Sequence, residues 1–301
     1  MPTSVLLEIA TVLNFRSLLH LRAVSRALLD VVTVELRRSL CKLLQQFVPY
    51  PQLLLALLDR VQAYVADTVA TRFLLREWKG GQEAGDPLTL YVPPSAYDEV
   101  VDHLCDSQSA TTLSNTCSTP DTIDYFELVG ISAEASLHTP YGIISVCRSD
   151  RSDALYPCAA RARASHLIAY TNGKFFGCGY PLLTFRHYSL LTTHGTEHPE
   201  DPILAEHERS GISIRLFSRQ WPELRSKGHD RCAADKWCCP AQLRTFHDPG
   251  SLSARFTPHR TNSPLQSRVK WRLDTRPCGG TCLADDPLIP AFVLADVADE
   301  D

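Results

Sequence analysis

The stretch that decides the fold of the N-terminal region is Ser17-Leu18-Leu19-His20-Leu21-Arg22-Ala23-Val24-Ser25-Arg26-Ala27-Leu28-Leu29. Its apolar residues recur every three or four positions, and the same spacing runs through Leu6-Leu7-Glu8-Ile9 before it. This periodicity predicts two short amphipathic helices. A segment of about forty residues cannot bury a hydrophobic core alone. Its apolar side chains must therefore pack on the rest of the chain, on a partner, or on both.

The composition of the 301-residue chain is that of a globular protein, with 44% hydrophobic and 21% charged residues. This length allows one large domain or two small ones. The net charge of -4 gives no general attraction to nucleic acid or to an anionic membrane surface. The longest apolar run, 53–58, is too short to span a bilayer. We therefore expect neither a nucleic-acid partner nor a membrane partner.

The chain has eleven cysteines. We expect no cleavable signal sequence, because no cationic segment precedes the first helical pattern, and no Asn-x-Ser/Thr sequon occurs. The cysteines are therefore expected to be reduced, which predicts a cytoplasmic or nuclear protein.

Hydrophobic patterns predict an α+β fold, in which a small mixed sheet carries helices and follows a helical N-terminal region. Helices are predicted at 3–40, 52–75, 97–104 and 159–170, and Asn14 or Ser17 is expected to cap the second N-terminal helix. Strands are predicted at 88–92, 126–131, 142–146, 212–217 and 269–273.

The same patterns divide the chain into five segments. These are a helical module at 1–40, a helical bridge at 41–80, an α/β domain at 81–195, a strand-containing extension at 196–260, and a tail at 261–301. The tail contains prolines and ends in acidic residues without basic ones, so we expect it to be partly mobile.

The N-terminal motif Leu6-Leu7-Glu8-Ile9 followed by Leu18-Leu19-His20-Leu21-Arg22-Ala23-Val24-Ser25-Arg26 resembles the F-box in its fungal form. The F-box is a helical module that docks on the linker subunit of a cullin–RING ubiquitin ligase. The resemblance implies that the linker subunit is contacted by Leu6, Leu7, Ile9, Leu13, Leu18, Leu19, Leu21 and Val24. The alternative is that the same side chains pack inside the chain, against residues 41–78.

Several later motifs resemble a group of mushroom-type fungal proteins that join an F-box-like start to a nucleotidyltransferase-like domain. They are Thr139-Pro140-x-Gly142-Ile143-Ile144-Ser145-Val146, Ser149 with Ala154-Leu155-x-Pro157, Phe175-Phe176 with Tyr180-Pro181, and Cys238-Cys239-Pro240-x-x-Leu243-Arg244 with Asp248-x-Gly250-x-Leu252. The resemblance implies a Gly-Ser turn, two carboxylates on one strand and a third on its neighbour.

Those catalytic positions are substituted in this chain. Ala66-Asp67 stands at the Gly-Ser turn, and Pro87 and Thr89 stand where the two carboxylates belong, beside Asp86. Ser145 and Cys147 stand where the third carboxylate is expected. Nucleotidyl transfer needs charged oxygen ligands around Mg²⁺, so we expect a domain of this fold without catalytic activity and without a bound cofactor.

Other chemistry was weighed against a purely structural role. Cys232, Cys238, Cys278 and Cys282 could together hold zinc, but their spacing is not that of a standard zinc site, and we commit no metal site to them. Ser165 and His166 are neighbours in the sequence, but this alone does not indicate a catalytic pair. The aromatic residues Phe175, Phe176 and Tyr180 are expected in the core.

The sequence therefore predicts a non-catalytic interaction protein, an F-box-type adaptor whose body binds an unidentified protein substrate. Two alternatives remain open. One is a pseudoenzyme that still binds a nucleotide or a metal, and the other is a diverged nucleotidyltransferase with relocated carboxylates.

Overall fold

The computed structural model describes residues 2–76, 85–117, 130–192, 202–225, 235–257 and 265–273, and the backbone of 292–294. Its helices are α1 (Thr3–Val12), α2 (Phe15–Val24), α3 (Arg26–Leu44), α4 (Pro51–Val61), α5 (Asp67–Leu75), α6 (Tyr97–Gln108), α7 (Tyr156–Ala160), α8 (Pro181–Thr184) and α9 (Pro202–Arg209). The predicted strand at 126–131 lies, except for its last two residues, outside the described residues.

The strands are β1 (Tyr64–Ala66), β2 (Leu88–Val92), β3 (Thr111–Cys117), β4 (Ile131–His138), β5 (Ile143–Ser149), β6 (Ala169–Thr171), β7 (Phe175–Cys178), β8 (Tyr188–Leu190), β9 (Ser213–Arg215), β10 (Arg244–Thr245), β11 (Leu252–Arg255), β12 (Val269–Trp271) and β13 (Phe292–Leu294). Eight of them form one sheet in the order β11-β7-β6-β1-β2-β5-β4-β3. Within it β2 and β5 are parallel, and the other neighbours are antiparallel. The fold is α+β, as the sequence predicts.

The N-terminal segment is helical, as its periodicity predicts, but a break at Ser25 divides the second predicted helix into α2 and α3. Asn14 ends the first helix and caps the second, because its Oδ1 accepts a hydrogen bond from the backbone N–H of Ser17 at 2.8 Å. Ser25 caps α3 in the same manner through the backbone N–H of Leu28 at 3.3 Å. Two capped breaks therefore fold residues 3–44 into three consecutive helices.

The prediction of one continuous helix at 52–75 is wrong. Helix α4 ends at Val61, where Gln62 takes a left-handed conformation with φ of 55°, and the strand β1 follows before α5 begins. Val65 pairs with Leu90 of β2 on one side and Thr171 of β6 on the other. Pairing with strands on both sides therefore makes these three residues a strand, although the spacing of their apolar residues is helical. The predicted helical bridge at 41–80 thus contains a central strand of the sheet.

The predicted helix at 159–170 is also wrong. Helix α7 stops at Ala160, and Ala169–Thr171 forms β6, which pairs with β1 and β7. All three residues of β6 are buried. Three consecutive residues of an amphipathic helix on the surface of a sheet would not all be buried. The predicted strands at 88–92, 142–146, 212–217 and 269–273 agree with β2, β5, β9 and β12 within a few residues.

Alternation along the central strands divides the core between two faces of the sheet. Leu88, Leu90 and Val92 of β2 face helices α1 to α6, while Tyr91 faces the C-terminal part of the chain. We call these the helical face and the opposite face. Both are covered, so every residue of β2 is buried.

The first two helices are fastened to the helical face. The ring of Phe15 lies 5.3 Å from the ring of Phe73 and 5.4 Å from that of Phe176. The Arg22 guanidinium donates to the carbonyl oxygens of Arg255, the last residue of β11, and of Phe256, which follows it. Residues 3–24 therefore belong to the same hydrophobic core as the sheet.

Candidate functional site

A polar cluster lies on the opposite face of the sheet, on the strands β2, β5 and β4. Strand pairing sets Tyr91 of β2 beside Cys147 of β5, and Cys147 beside Glu134 of β4. Thr89 lies beside Ser145 in the neighbouring row. Directly paired residues share a face of a sheet, so one surface collects hydroxyl, thiol and carboxylate groups.

Asp67 adds a second carboxylate from the turn between β1 and α5. Its φ of 55° lies in the left-handed region, where a residue other than glycine is strained by about 1–3 kcal/mol. The Tyr91 hydroxyl lies within donating distance of both carboxylate oxygens, at 3.2 and 3.0 Å. These contacts hold the Asp67 side chain at the beginning of α5.

The protonation of this cluster follows from its enclosure. Burial raises the pKa of Asp67, while Arg161 and the hydrogen bonds from Tyr91 and Thr89 oppose that rise. Burial also raises the pKa of the Cys147 thiol to about 12. Cys147 is therefore a neutral thiol at physiological pH, which excludes it as an activated nucleophile.

Arg161, in the chain that follows α7, supplies the positive charge of the cluster. Its Nη1 donates to Sγ of Cys147 at 3.2 Å and lies 3.7 Å from Oε1 of Glu134. Ser145 donates to the same Glu134 oxygen at 2.6 Å. The positive charge of the Arg161 guanidinium therefore offsets the negative charge of the Glu134 carboxylate.

This arrangement lacks the donor set for two-metal chemistry. Thr89 offers an uncharged hydroxyl, and Asp86 lies elsewhere, with Oδ2 3.8 Å from Nε2 of His207. Asp150 pairs with Arg151 at 3.7 Å rather than with Asp86. In the part of the chain that the structure describes, no group of three or more His, Cys, Asp or Glu side chains could hold a metal ion.

A second polar cluster is buried beside α5. Nε2 of His166 lies 2.9 Å from Nδ1 of His207, and Nδ1 of His166 lies 2.7 Å from the hydroxyl of Ser189. All three side chains are fully buried. Burial and the neighbouring His207 lower the pKa of His166 well below its ordinary value. The Ser189 hydroxyl is enclosed, so this network fastens α9 and β8 to the body.

The structure distributes the eight predicted partner-binding residues between the core and the surface. Leu18 is fully buried. Leu6, Leu7, Leu13, Leu19 and Leu21 are partly buried and pack against the core. Ile9 and Val24 remain exposed, at 40% and 72%. Packing inside the chain, the alternative considered for these residues, accounts for the leucines that face the sheet.

Two exposed valines complete a row that the sequence analysis did not single out. Val5, Ile9 and Val12 lie on one side of α1 at spacings of four and three residues, with exposures of 39%, 40% and 78%. Leu6 and Ala10 lie on the adjacent face of α1 and contact the core, as does Leu13, which follows the helix. We call Val5, Ile9 and Val12 the α1 row. The spacing of Val5, Ile9 and Val12, four and three residues apart, was the available signal.

The motif around Arg244 forms a buried network of hydrogen bonds. Arg244 is fully buried and binds Asp248 through two hydrogen bonds of 2.8 and 2.9 Å. It also donates to the backbone carbonyls of Trp237 and Gly179, at 2.6 and 2.7 Å. Of the proposed zinc ligands, Cys238 is buried, and Cys232, Cys278 and Cys282 lie outside the described residues.

Within the described part of the chain, no helix has both the length and the apolar composition needed to cross a bilayer. No protein-family model matches the chain, and no curated protein or solved structure matches it significantly. The candidate site is therefore interpreted from its own geometry.

Proposed function

We propose that this chain is a non-catalytic adaptor of the F-box type. Its N-terminal helices recruit the linker subunit of a cullin–RING ubiquitin ligase, and its body binds an unidentified protein substrate. The observation that carries the proposal is the α1 row, three large apolar side chains exposed to solvent on a helix whose other side is fastened to the core. Such rows are used when a helix docks in a groove of a partner.

The polar cluster supports a role without catalysis. Its side chains include the uncharged hydroxyl of Thr89 and the cationic guanidinium of Arg161, and the Asp67 carboxylate lies at the beginning of α5. Helix N-termini attract phosphate groups, and a carboxylate there competes with and repels them. Free thiols at all described cysteine side chains fit a reducing compartment, and we place the adaptor in the cytoplasm or nucleus.

The test is binding of the purified full chain to immobilised linker subunit. Ile9→Asp with Val12→Asp introduces two charges on the α1 row without touching the core, so the chain should stay folded. We expect binding to weaken by at least about tenfold, as for central interface residues. Leu18→Asp is unsuitable, because Leu18 is fully buried and the substitution would unfold the region.

The matched control is Leu113→Asp, since Leu113 is 60% exposed on β3, at the edge of the sheet. This variant should bind like the unmodified chain. Absence of binding by the unmodified chain, or full binding by the folded double variant, would refute the adaptor hypothesis.

The predicted absence of catalytic activity is tested separately. With Mg²⁺ and each nucleoside triphosphate, the purified chain should form no product above the reaction without protein, because Pro87 and Thr89 stand where the resemblance implies two charged oxygen ligands. Turnover that disappears in an Asp67→Asn variant would instead establish a diverged nucleotidyltransferase.

A further inference from the structure

A cavity of about 330 Å³ opens on the helical face, between α3, α4 and the turn that joins β6 to β7. This volume is at the lower end of the range for small-molecule sites. The residues that present accessible surface to it are Arg37, Cys41, Gln52, Ala56, Asp59 and Gly173, all exposed or partly exposed. None of them belongs to the polar cluster around Asp67 or to the α1 row.

Two opposite charges line this cavity from different helices. Arg37 lies on α3 and Asp59 on α4, and no ion pair joins them. In the described part of the chain, the Asp59 carboxylate has neither an ion pair nor a side-chain hydrogen bond. An accessible carboxylate of this kind can accept charge-assisted hydrogen bonds from a ligand ammonium group.

The Arg37 guanidinium is oriented by neutral groups. Its Nη2 donates to the hydroxyl of Thr257 at 3.1 Å, and its central carbon lies 5.9 Å from the centroid of the Phe256 ring. Neither contact neutralises the positive charge, and a guanidinium has five N–H donors. Arg37 therefore retains the capacity to bind a carboxylate.

The accessible surface of Cys41 and Ala56 is uncharged. Ala56 is exposed on α4 and presents a methyl group. Burial raises the pKa of the Cys41 thiol, so the thiol is neutral at physiological pH. Both side chains are small, which leaves room for an aliphatic segment of a ligand.

The turn at the end of the cavity is fixed in place. A Cβ atom on Gly173 would lie 2.7 Å from the carbonyl oxygen of Leu55, so only glycine allows the turn to approach α4 this closely. Oδ1 of Asn172 accepts hydrogen bonds from the backbone N–H groups of Lys174 and Phe175, at 2.8 and 2.7 Å. The cavity is therefore formed before a ligand enters, which lowers the cost of binding.

We propose that this cavity binds a small zwitterion, a molecule that carries a primary ammonium group and a carboxylate on an aliphatic chain. The ammonium group meets Asp59, the carboxylate meets Arg37, and the aliphatic part lies against Ala56 and Cys41. This site does not depend on the adaptor function, and loss of binding to the linker subunit would leave it unaffected.

Calorimetric titration of the full chain tests the ligand class with four probes. Leucine and 6-aminohexanoate carry both charges, close together in the first and far apart in the second, whereas hexanoate lacks the ammonium group and hexylamine lacks the carboxylate. We expect at least one zwitterion to bind at least about tenfold more tightly than hexanoate and hexylamine. The zwitterion that binds more tightly indicates the separation of its two charges that fits the cavity.

Variants test the location. Ala56→Trp fills the cavity from an exposed position, whereas Asp59→Asn and Arg37→Gln each remove one charge; every one of the three should weaken binding by about tenfold or more. Arg38→Gln on α3 and Asp106→Asn on α6 change exposed residues outside the cavity, so these matched controls should bind normally. Thermal unfolding checks that each variant is folded.

Three results would overturn the proposal. They are no binding of either zwitterion at millimolar concentration, binding of hexanoate or hexylamine as tight as that of the zwitterions, and undiminished binding by folded Ala56→Trp or folded Asp59→Asn.

Discussion

On the helical face of the eight-stranded sheet, Phe15, Phe73 and Phe176 pack edge to face among leucines from α1 to α6. On the opposite face, charged and hydroxyl side chains lie among aromatic residues. Arg244 is fully buried there, whereas Arg161 keeps 30% of its side chain exposed. The two faces therefore obtain stability by different means.

The two faces differ in which substitutions they tolerate. Apolar packing on the helical face has no directional requirement, so it tolerates changes that keep volume. Polar groups on the opposite face must each find a partner, because an unpaired buried polar group costs about 1–3 kcal/mol. Arg244 meets this requirement completely, while the Asp67 and Arg161 cluster remains open to solvent at Glu134 and Arg161.

The largest expected effect is on the helical face. Phe15→Ala should lower the free energy of unfolding by about 3–5 kcal/mol, because it leaves a cavity where α2 joins α5 and β7. Urea unfolding measures it. Val12→Ala, at a position 78% exposed, is the control and should change stability by less than about 0.5 kcal/mol. A small effect at Phe15 would show that the N-terminal helices are a separate module.

The next largest effect on stability is expected at Arg244 and Asp248, which form an ion pair on the opposite face. Arg244→Met should destabilise the chain by about 3 kcal/mol, because the Asp248 carboxylate loses its cation. Asp248 retains donors from the backbone N–H groups of Thr245 and Gly250, both at 2.8 Å, which keeps the loss near the lower limit. The double variant Arg244→Met with Asp248→Leu should regain part of the loss. Equal instability of both variants would assign the effect to packing.

The smallest effect is a pH dependence at His166. Its pKa is lowered in the folded state from the ordinary value of 6.5, so the unfolded chain binds its proton at higher pH than the folded chain does. The contribution to stability is therefore complete above pH 6.5 and decreases as the pH falls below it, by at most about 1.4 kcal/mol per pH unit. Urea unfolding at several pH values measures this slope. His166→Gln should reduce it, and an unchanged slope would exclude His166 as its origin.

Much of the fold could be predicted from local patterns. Helix α2, its Asn14 cap and the strand β2 follow from spacing and capping chemistry. The errors at β1 and β6 share one cause, since both are three-residue strands whose pairing partners lie on both sides. Such short strands have no period of their own, so tertiary pairing decides them.

The candidate site was only partly predictable. Thr89, Ser145 and Cys147 were named from the sequence, and they lie on the neighbouring strands β2 and β5. Their correspondence to catalytic positions stays a prediction. Glu134 and Arg161 were not singled out. Glu134 occupies one of the less buried alternate positions of β4, an ordinary place for a charged residue, and Arg161 lies within a segment predicted as helix, so neither gave a signal.

The sequence by itself determined, through periodic patterns, the secondary structure of segments such as α2, α6 and β2. Only the tertiary structure decided which leucines of the first helices are buried and which side of α1 faces solvent. It alone joined His166 to His207, 41 residues apart, and Asp67 to Tyr91. The reason is physical: periodicity depends on neighbouring residues, whereas burial and charge pairing depend on groups that meet only after the sheet has formed.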